Sequence, residues 1–173
     1  MNLENKIRTI PDFPKKGIMF KDITTVLKDP EALAYCVDTL YEKYKNKGIT
    51  KVIGIESRGF IIGAALAYRL GVGFVPIRKP GKLPAETIRQ EYQLEYGTDA
   101  IEIHKDAIVH GEKVLLHDDV LATGGTMEAA CKLVNQLGGV IVGLSFLLEL
   151  SFLNPRKKLK NYDIFSLISY DSE

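Results

Sequence analysis

Cysteine, excess charge and long apolar runs are all scarce in this sequence. Its 173 residues include two cysteines, Cys36 and Cys131, with no CxxC pair, and its formal net charge is +1. Two separate thiols fit a reducing compartment and burial in a core. Proteins that bind nucleic acids or membrane surfaces are usually more basic. No stretch is apolar enough for a signal peptide or a bilayer span, so we expect a cytoplasmic protein that binds neither nucleic acid nor membrane.

Several motifs of nucleotide and metal sites are missing as well. The sequence has no GxxxxGKS/T loop and no GxGxxG after a predicted strand, so we expect neither a P-loop nor that type of dinucleotide site. His104, His110 and His117 form no HxxH or HExxH pattern, and we expect structural or surface roles for them rather than metal ligation. His117 stands before two acids, and the sequence leaves open whether it perturbs Asp118 or faces the core.

Short apolar segments alternate with helical patterns along most of the chain. Residues 29–48 predict a helix that Asp29 caps, with Pro30 in its first turn and Gly48 as its stop. Pro76 limits the pairing of its own strand to one side. Further helices are predicted at 59–71 and 125–139, and strands at 51–55, 74–77, 114–117, 140–150 and 163–168. The alternation predicts an α/β protein, with a central parallel sheet flanked by helices in one domain of residues 1–173.

The polar segment 78–100 breaks this alternation. Its sequence, RKPGKLPAETIRQEYQLEYGTDA, is long for a connection in a compact domain, and such connections are usually functional or disordered. It predicts either a long loop or an excursion hairpin over the sheet edge. Arg78, Lys79 and Lys82 could close over a polyanion and exclude water from it. A solvated basic turn is the alternative for these three residues.

The stretch VLLHDDVLATGGT (114–126) places two acids beside a small-residue loop that opens a helix. Glycines let backbone amides approach an anion, and a helix N-terminus adds positive potential, so the loop 122–126 suits a phosphate. Asp118 and Asp119 are acceptors only, and their partners would be hydroxyl donors or a metal ion. A ribose 5-phosphate would suit both features, with its hydroxyl groups on the two acids and its phosphate in the loop. The alternative is a solvated acid pair at a strand end, followed by a threonine N-cap.

A second polar loop, ESRGF (56–60), follows another predicted strand. Arg58 and nearby backbone amides could hold a second anion, in bidentate fashion if it is a phosphate. We expect Glu56 to balance Arg58 when the site is empty. A purely structural Glu–Arg pair is the alternative.

Two levels of family resemblance rest on these motifs. DDVLATGGT resembles the phosphoribosyl diphosphate (PRPP) signature of type I phosphoribosyltransferases. Five segments in order along nearly the whole chain resemble the adenine phosphoribosyltransferase family: IRTIPDFPKKGIMFKDIT (7–24), IESRGF (55–60), IRKPGKLP (77–84), LEYG (94–97) and VLATGGTMEAAC (120–131). The resemblance implies transfer of the phosphoribosyl group of PRPP to adenine, which gives AMP and pyrophosphate with Mg²⁺. It also implies a homodimer and the type I fold, with a small N-terminal hood (1–30) over the base and a flexible catalytic loop (78–100).

The resemblance further implies which residues contact each part of the substrates. For the ribose hydroxyls and the 5-phosphate these are Asp118, Asp119, Ala122, Thr123, Gly124, Gly125 and Thr126. For pyrophosphate they are Ser57, Arg58 and Lys82. For the base they are Phe20 and Val120, with the backbone of Met19 and Lys21 reading its edge. Glu95 would lie over the reaction centre, and Tyr96 would help to close the lid. Catalysis is then expected from Glu95, Arg58, Lys82 and Asp119, and Mg²⁺ is expected to bind mainly through PRPP, without direct protein ligands.

Two other functions remain open on sequence grounds. Base choice depends on hydrogen bonds from the hood backbone, which a sequence barely encodes, so xanthine or hypoxanthine could replace adenine as the substrate. A non-catalytic regulator that senses PRPP could use the same fold. Such a regulator would need a nucleic-acid-binding module or a basic face, and neither the short N-terminal segment nor the near-neutral charge favours one.

Overall fold

The computed structural model describes residues 1–94 and 96–173. Its helices are α1 (Thr24–Leu27), α2 (Pro30–Tyr44), α3 (Gly59–Leu70) and α4 (Gly125–Gln136). Its strands are β1 (Arg8–Ile10), β2 (Phe20–Asp22), β3 (Lys51–Ile55), β4 (Gly73–Ile77), β5 (Thr87–Gln93), β6 (Thr98–His104), β7 (Lys113–Leu121), β8 (Val140–Leu150) and β9 (Ile164–Tyr170). Short 3₁₀ turns precede β1 and connect β8 to β9. Within the described ranges, no helix is long and apolar enough to cross a membrane.

The centre of the molecule is a five-stranded parallel sheet in the order β4-β3-β7-β8-β9. This arrangement confirms the predicted α/β fold with a parallel sheet between helices. Pro76 lies on β4 at the edge of the sheet, where β4 pairs with β3 alone among the described strands of this sheet. The sequence-based limit on its pairing is therefore confirmed.

The helices begin and end where local chemistry favours it. The Asp29 carboxylate accepts the backbone N–H groups of Glu31 and Ala32 at 3.0 and 3.1 Å, which caps α2, and Pro30 fills its first position. Helix α2 ends at Tyr44, earlier than the predicted stop at Gly48. Helix α3 ends at Gly71, which adopts the left-handed conformation (φ +70°) typical of a helix C-terminus.

Alternation along the strands divides the core into two buried clusters on opposite faces of the sheet. Leu115 of β7 packs in a cluster with Leu40 of α2 and Leu66 of α3. Its neighbour Leu116 belongs to the other cluster, with Val134 of α4. Because successive strand residues face opposite sides, β7 is buried on both faces of the sheet.

Strand β7 is longer than the sequence pattern indicates. The predicted strand stops at residue 117, whereas pairing with β8 continues through Leu121, which lies opposite Glu149. The predicted end of this strand is therefore wrong: Asp118 and Asp119, which the prediction left outside it, lie on the strand itself. The strand extends this far because its backbone forms hydrogen bonds with β8. Such pairing with a distant segment cannot be predicted from the local pattern of apolar residues.

Two smaller antiparallel sheets flank the carboxyl end of the main sheet. In the polar segment, β5 and β6 form a hairpin with Thr87 opposite His104, so the excursion takes the hairpin form of the two that the sequence allowed. Ile101 and Ile103 of β6 are buried in the core. Near the N-terminus β1 pairs with β2, a pair of strands that the sequence analysis did not predict.

Candidate active site at the carboxyl ends of the strands

A cavity of about 670 Å³ lies where β3 and β7 end, between the N-terminal sheet and the hairpin. Ten of the residues that the family resemblance implied line it: Met19, Phe20, Lys21, Ser57, Arg58, Asp118, Asp119, Val120, Ala122 and Thr126. This is the position at which ligands bind in open parallel sheets. The fold therefore brings residues from three distant parts of the chain into one cavity.

The two acids of β7 differ in their surroundings. Asp119 is 6% exposed. Asp118 accepts the backbone N–H of Asp119 through its Oδ1 at 2.9 Å. Burial disfavours the charged form of Asp118 and Asp119 repels it, so the pKa of Asp118 lies well above its usual value. A carboxyl with a raised pKa next to a buried carboxylate offers both a donor and acceptors to a diol.

Arg58 pairs with Asp119 rather than with Glu56. Arg58 follows β3, and its Nε lies 2.5 Å from Oδ2 of Asp119 on the neighbouring strand β7. The hydrogen bond with Asp119 raises the pKa of Arg58 further. The expected Glu56–Arg58 pair is therefore wrong. Its physical reason is topological, since β3 lies between β4 and β7, and the two side chains that follow it turn toward opposite neighbours.

Glu56 turns toward the chain that follows β4. Its carboxylate accepts the Arg78 Nη2–H at 2.8 Å and the Lys79 backbone N–H at 2.6 Å. Burial opposes the charge on Glu56, but these hydrogen bonds outweigh that effect and hold its pKa below its usual value. Glu56 thus fixes the start of the basic segment at the edge of the cavity.

The loop between β7 and α4 contains the small residues that suit a phosphate. Gly124 has φ +86° and caps α4, whose first residue is Gly125. A Cβ at Gly124 would lie 2.9 Å from the Pro155 carbonyl oxygen, so the loop is closely packed from behind. A cleft of about 80 Å³ beside the main cavity is lined by Asp118, Thr123, Gly124 and Thr126, among others. A phosphate there would meet the positive end of the α4 dipole.

The other end of the cavity is apolar. Phe20 of β2 lines it and makes an edge-to-face contact with Phe13, with ring centroids 5.0 Å apart. Val120 contributes from β7, and Leu148 and Leu150 contribute from β8. The aromatic face and the aliphatic side chains form a slot suited to a flat heterocycle. The cavity therefore has a polar end for a sugar phosphate and an apolar end for a base.

The remaining predicted residues lie elsewhere. Thr123 and Gly124 line the small cleft, and Gly125 lies in a third depression beside the hairpin. Lys82 and Tyr96 are exposed, and the lining formed by the described residues does not include them. Glu95 lies outside the described residues. The roles implied for these residues stay predictions.

Part of the lining was not predicted from the sequence, namely Ile18, Ile55, Tyr92, Ile101, Leu148 and Leu150. The aliphatic residues of this set could not be distinguished from ordinary core residues, because an apolar strand has the same sequence pattern in a cavity wall as in a core. Lys79, which also lines the cavity, was singled out from the sequence with Arg78 and Lys82 as a residue that could close over a polyanion. A usable signal existed for Tyr92, since an aromatic residue in a polar strand needs a surface to pack against.

His117 faces the core. Its side chain is 0% exposed, and its Nδ1 lies 2.9 Å from the Ser145 hydroxyl, which in turn donates to the Leu116 carbonyl at 3.3 Å. In that network Nδ1 carries the proton and Nε2 does not. Among the described residues Nε2 has no hydrogen-bond partner. Burial therefore lowers the pKa of His117 from 6.5 to about 4.

This buried histidine predicts a specific loss of stability in acid. In the unfolded chain His117 gains its proton near pH 6.5, whereas in the folded protein it does so only near pH 4. The unfolded state therefore binds more protons between these values, and stability falls as the pH falls through this window, by about 3 kcal/mol in all. Denaturant unfolding of His117→Leu should show a flatter dependence on pH than the unsubstituted protein. The control His110→Gln, at an exposed histidine, should keep the original slope; equal slopes for all three proteins would contradict the account.

Comparisons with known proteins agree on one family. A family model described as "Phosphoribosyl transferase domain" matches residues 22–170. The adenine phosphoribosyltransferase of Acidobacterium capsulatum is 59% identical over 168 residues, covering 97% of this chain and 93% of the relative. That of Clostridium perfringens is 58% identical over 171 residues, covering 99% of each.

Solved structures of adenine phosphoribosyltransferases superpose closely on this chain. The enzyme from Thermoanaerobacter pseudethanolicus has a TM-score of 0.94 at 58% identity, with 97% of this chain and 98% of the other covered. The enzyme from Saccharomyces cerevisiae, complexed with an imino-altritol bisphosphate and adenine, has a TM-score of 0.90 at 42% identity, with 95% and 96% covered. The enzyme from Trypanosoma brucei, in complex with AMP, pyrophosphate and ribose-5-phosphate, has a TM-score of 0.89 at 29% identity, with 96% and 78% covered.

Proposed function

This chain belongs to the adenine phosphoribosyltransferase family and transfers the 5-phosphoribosyl group of PRPP to adenine, and we propose that it does so in the cavity between β3, β7 and the hairpin. The products are AMP and pyrophosphate, so the reaction belongs to purine salvage. One observation carries the proposed site. The acid pair and the small-residue loop lie on one strand–loop–helix unit, and the apolar slot formed by Phe20, Val120 and Leu148 opens beside them, so that adjoining surfaces suit the ribose, the phosphate and the base of a nucleotide.

In the proposed arrangement the 5-phosphate binds to the loop 122–126, the ribose hydroxyls to Asp118 and Asp119, and the adenine beside Phe20 and Val120. The backbone of Met19 and Lys21 reads the edge of the base. These contacts hold the base nitrogen close to the anomeric carbon, and such positioning supplies much of the rate.

The chemistry proposed is displacement at the anomeric carbon through an oxocarbenium-like transition state. Positive charge develops on the sugar as pyrophosphate leaves, and the buried Asp119 carboxylate is placed to stabilise it. Arg58, which pairs with Asp119 in the structure, would turn to the diphosphate group and release that carboxylate to the ribose. Ser57 and Lys82 would add donors to the diphosphate, and Glu95 and Tyr96 would act from the lid.

Mg²⁺ is the proposed cofactor. In the described part of the chain no group of three or more His, Cys, Asp or Glu side chains could hold a metal ion. Mg²⁺ usually keeps several waters and relies on substrate phosphates, so the ion would arrive with PRPP, and Asp118 and Asp119 would face it through the ribose hydroxyls rather than as direct ligands. When bound, the ion neutralises the leaving group. The two acids would orient the complex through the ribose hydroxyls.

We also propose a cytoplasmic homodimer of single-domain chains, with residues 1–30 as the hood and 78–100, which includes most of the β5–β6 hairpin, as the lid. Helix α3 supports the dimer, because Ile61 and Tyr68 lie on the same side of it two turns apart and are 47% and 88% exposed. Exposed apolar side chains on one helix face are typical of an interface between subunits. Sedimentation equilibrium should give twice the mass of one chain, and a monomer mass would contradict the proposal.

Turnover with competing bases tests the proposed substrate. With PRPP and Mg²⁺ present, we expect pyrophosphate release with adenine at a kcat/KM at least about a hundredfold above that with hypoxanthine or xanthine, since a site that hydrogen-bonds an amino group leaves its partners unpaired with an oxo group. A preference for hypoxanthine or xanthine would assign the enzyme to another purine. PRPP binding without turnover of any base would favour the non-catalytic regulator.

A further inference from the structure

Lys79, which follows β4, lies in the wall of the cavity and is held there by two residues of the hairpin. Its ammonium donates hydrogen bonds to the Asp99 carboxylate and to the Tyr92 hydroxyl, the latter at 2.9 Å. The Tyr92 hydroxyl in turn donates to Asp99 Oδ2 at 3.2 Å. The three groups therefore form a closed triangle of hydrogen bonds at the edge of the cavity.

The hairpin residues of this triangle and the backbone of Lys79 are each held by further hydrogen bonds. Tyr92 of β5 and Asp99 of β6 lie directly opposite each other in the hairpin ladder, and Asp99 Oδ1 accepts the backbone N–H of Ala100 at 2.8 Å. The backbone N–H of Lys79 is bound by Glu56. A lysine side chain is long and flexible and loses much rotamer freedom on being fixed. Here the surrounding structure fixes it before any ligand binds.

The ammonium retains one donor for a ligand. A lysine ammonium has three N–H groups, and among the described residues Asp99 and Tyr92 accept two of them. Lys79 and Arg58 line the same cavity. Burial disfavours the charge on Lys79, but the hydrogen bonds to Asp99 and Tyr92 outweigh it, and the pKa of Lys79 lies above its usual value. The group thus stays a cation that can donate to an anion.

We propose that Tyr92 and Asp99 are positioning residues, which aim the remaining N–H of Lys79 at the pyrophosphate group of PRPP. This inference rests on the proposed function, because it takes the diphosphate as the anion beside Arg58. Lys79 keeps its proton throughout and acts only as a donor. In this arrangement the two strands of the hairpin orient the ammonium group of Lys79, which belongs to the segment that follows β4.

Tyr92→Phe is the most informative variant, because it removes one oxygen atom and no charge. Calorimetric titration with inorganic pyrophosphate and Mg²⁺ should show binding weakened by about fivefold in Tyr92→Phe and about tenfold or more in Lys79→Ala, in line with the loss of charge-assisted hydrogen bonds. Affinity for AMP should stay within about twofold, because AMP lacks the diphosphate. A merely structural role for Tyr92 would weaken both ligands.

A double-mutant cycle separates positioning from a general effect on the fold. In Lys79→Ala the substitution Tyr92→Phe should cause no further loss of pyrophosphate affinity, because the group that Tyr92 positions is gone. Tyr162→Phe is the matched control: its hydroxyl accepts a hydrogen bond from Asn135, away from the cavity, and pyrophosphate binding should not change.

Two results would overturn the inference: unchanged pyrophosphate affinity in Tyr92→Phe, or the same fold loss in the presence and absence of Lys79. Because the readout is binding, it is independent of the base-turnover assay. A protein that transfers nothing to adenine would refute the proposed function while the cycle still decides the role of Tyr92.

Discussion

Replacing Asp119 by asparagine is expected to lower kcat by a factor of about a hundred or more, the usual cost of removing a charge that stabilises a transition state. Asp119 is only 6% exposed. Asparagine has nearly the same size and shape as aspartate, so the packing around this position should survive the substitution. What is lost is the negative charge that, in the proposed arrangement, stabilises the sugar at its anomeric carbon, and with it the charged partner of Arg58. Steady-state kinetics with PRPP and adenine measure the change.

Stability should change little in the same variant. Arg58 is half exposed, so its unpaired charge remains solvated and the cost is small. Asp106→Asn removes a carboxylate at an exposed turn and should leave kcat and the thermal midpoint unaltered. A kcat for Asp119→Asn within a few fold of the unsubstituted enzyme would exclude Asp119 from the reaction centre. A large fall in the thermal midpoint would instead mean that the loss of activity reports unfolding.

Substituting alanine for Gly124 is expected to weaken PRPP binding by about tenfold or more. The residue has φ +86°, where a side chain costs on the order of 1 kcal/mol. The new Cβ would also lie 2.9 Å from the Pro155 carbonyl oxygen, closer than packed atoms tolerate. The loop must therefore shift, and the amides that face the proposed 5-phosphate shift with it. The KM for PRPP measures this effect.

Gly111 offers a matched control for Gly124. It has the same φ of +86°, but nothing lies within 4 Å of a Cβ built on it. Gly111→Ala should lose about the same conformational free energy and keep its KM for PRPP. If both variants raised the KM alike, backbone strain in general would explain the result, and the phosphate role of the loop would lose its support.

Features governed by neighbouring residues could be predicted from the sequence. The cap of α2 depends on Asp29 and Pro30, and the edge position of β4 follows from Pro76, because proline lacks the N–H that a second partner strand needs. The association of the acids with a small-residue loop at the start of a helix could also be predicted, since both belong to one stretch of β7 and α4. Features of this kind can be predicted because they depend on residues that are close together in the sequence.

Features governed by distant partners could not be predicted in this way. Arg58 meets Asp119 across 61 positions of sequence, and the strand order decides that pair rather than the adjacent Glu56. The extension of β7 through Asp118 and Asp119 depends on its pairing with β8. The apolar wall from Leu148 and Leu150 reads as ordinary core until the fold places it beside Phe20.

A crystal structure of the protein with AMP tests the central claim most directly. The account predicts the phosphate within hydrogen-bond distance of the backbone amides of residues 123–126, the ribose hydroxyls on Asp118 and Asp119, and the adenine ring against Phe20 and Val120. AMP bound in the reverse direction, with its phosphate on Arg58 and its base near the loop 122–126, would contradict the account, as would AMP bound outside this cavity.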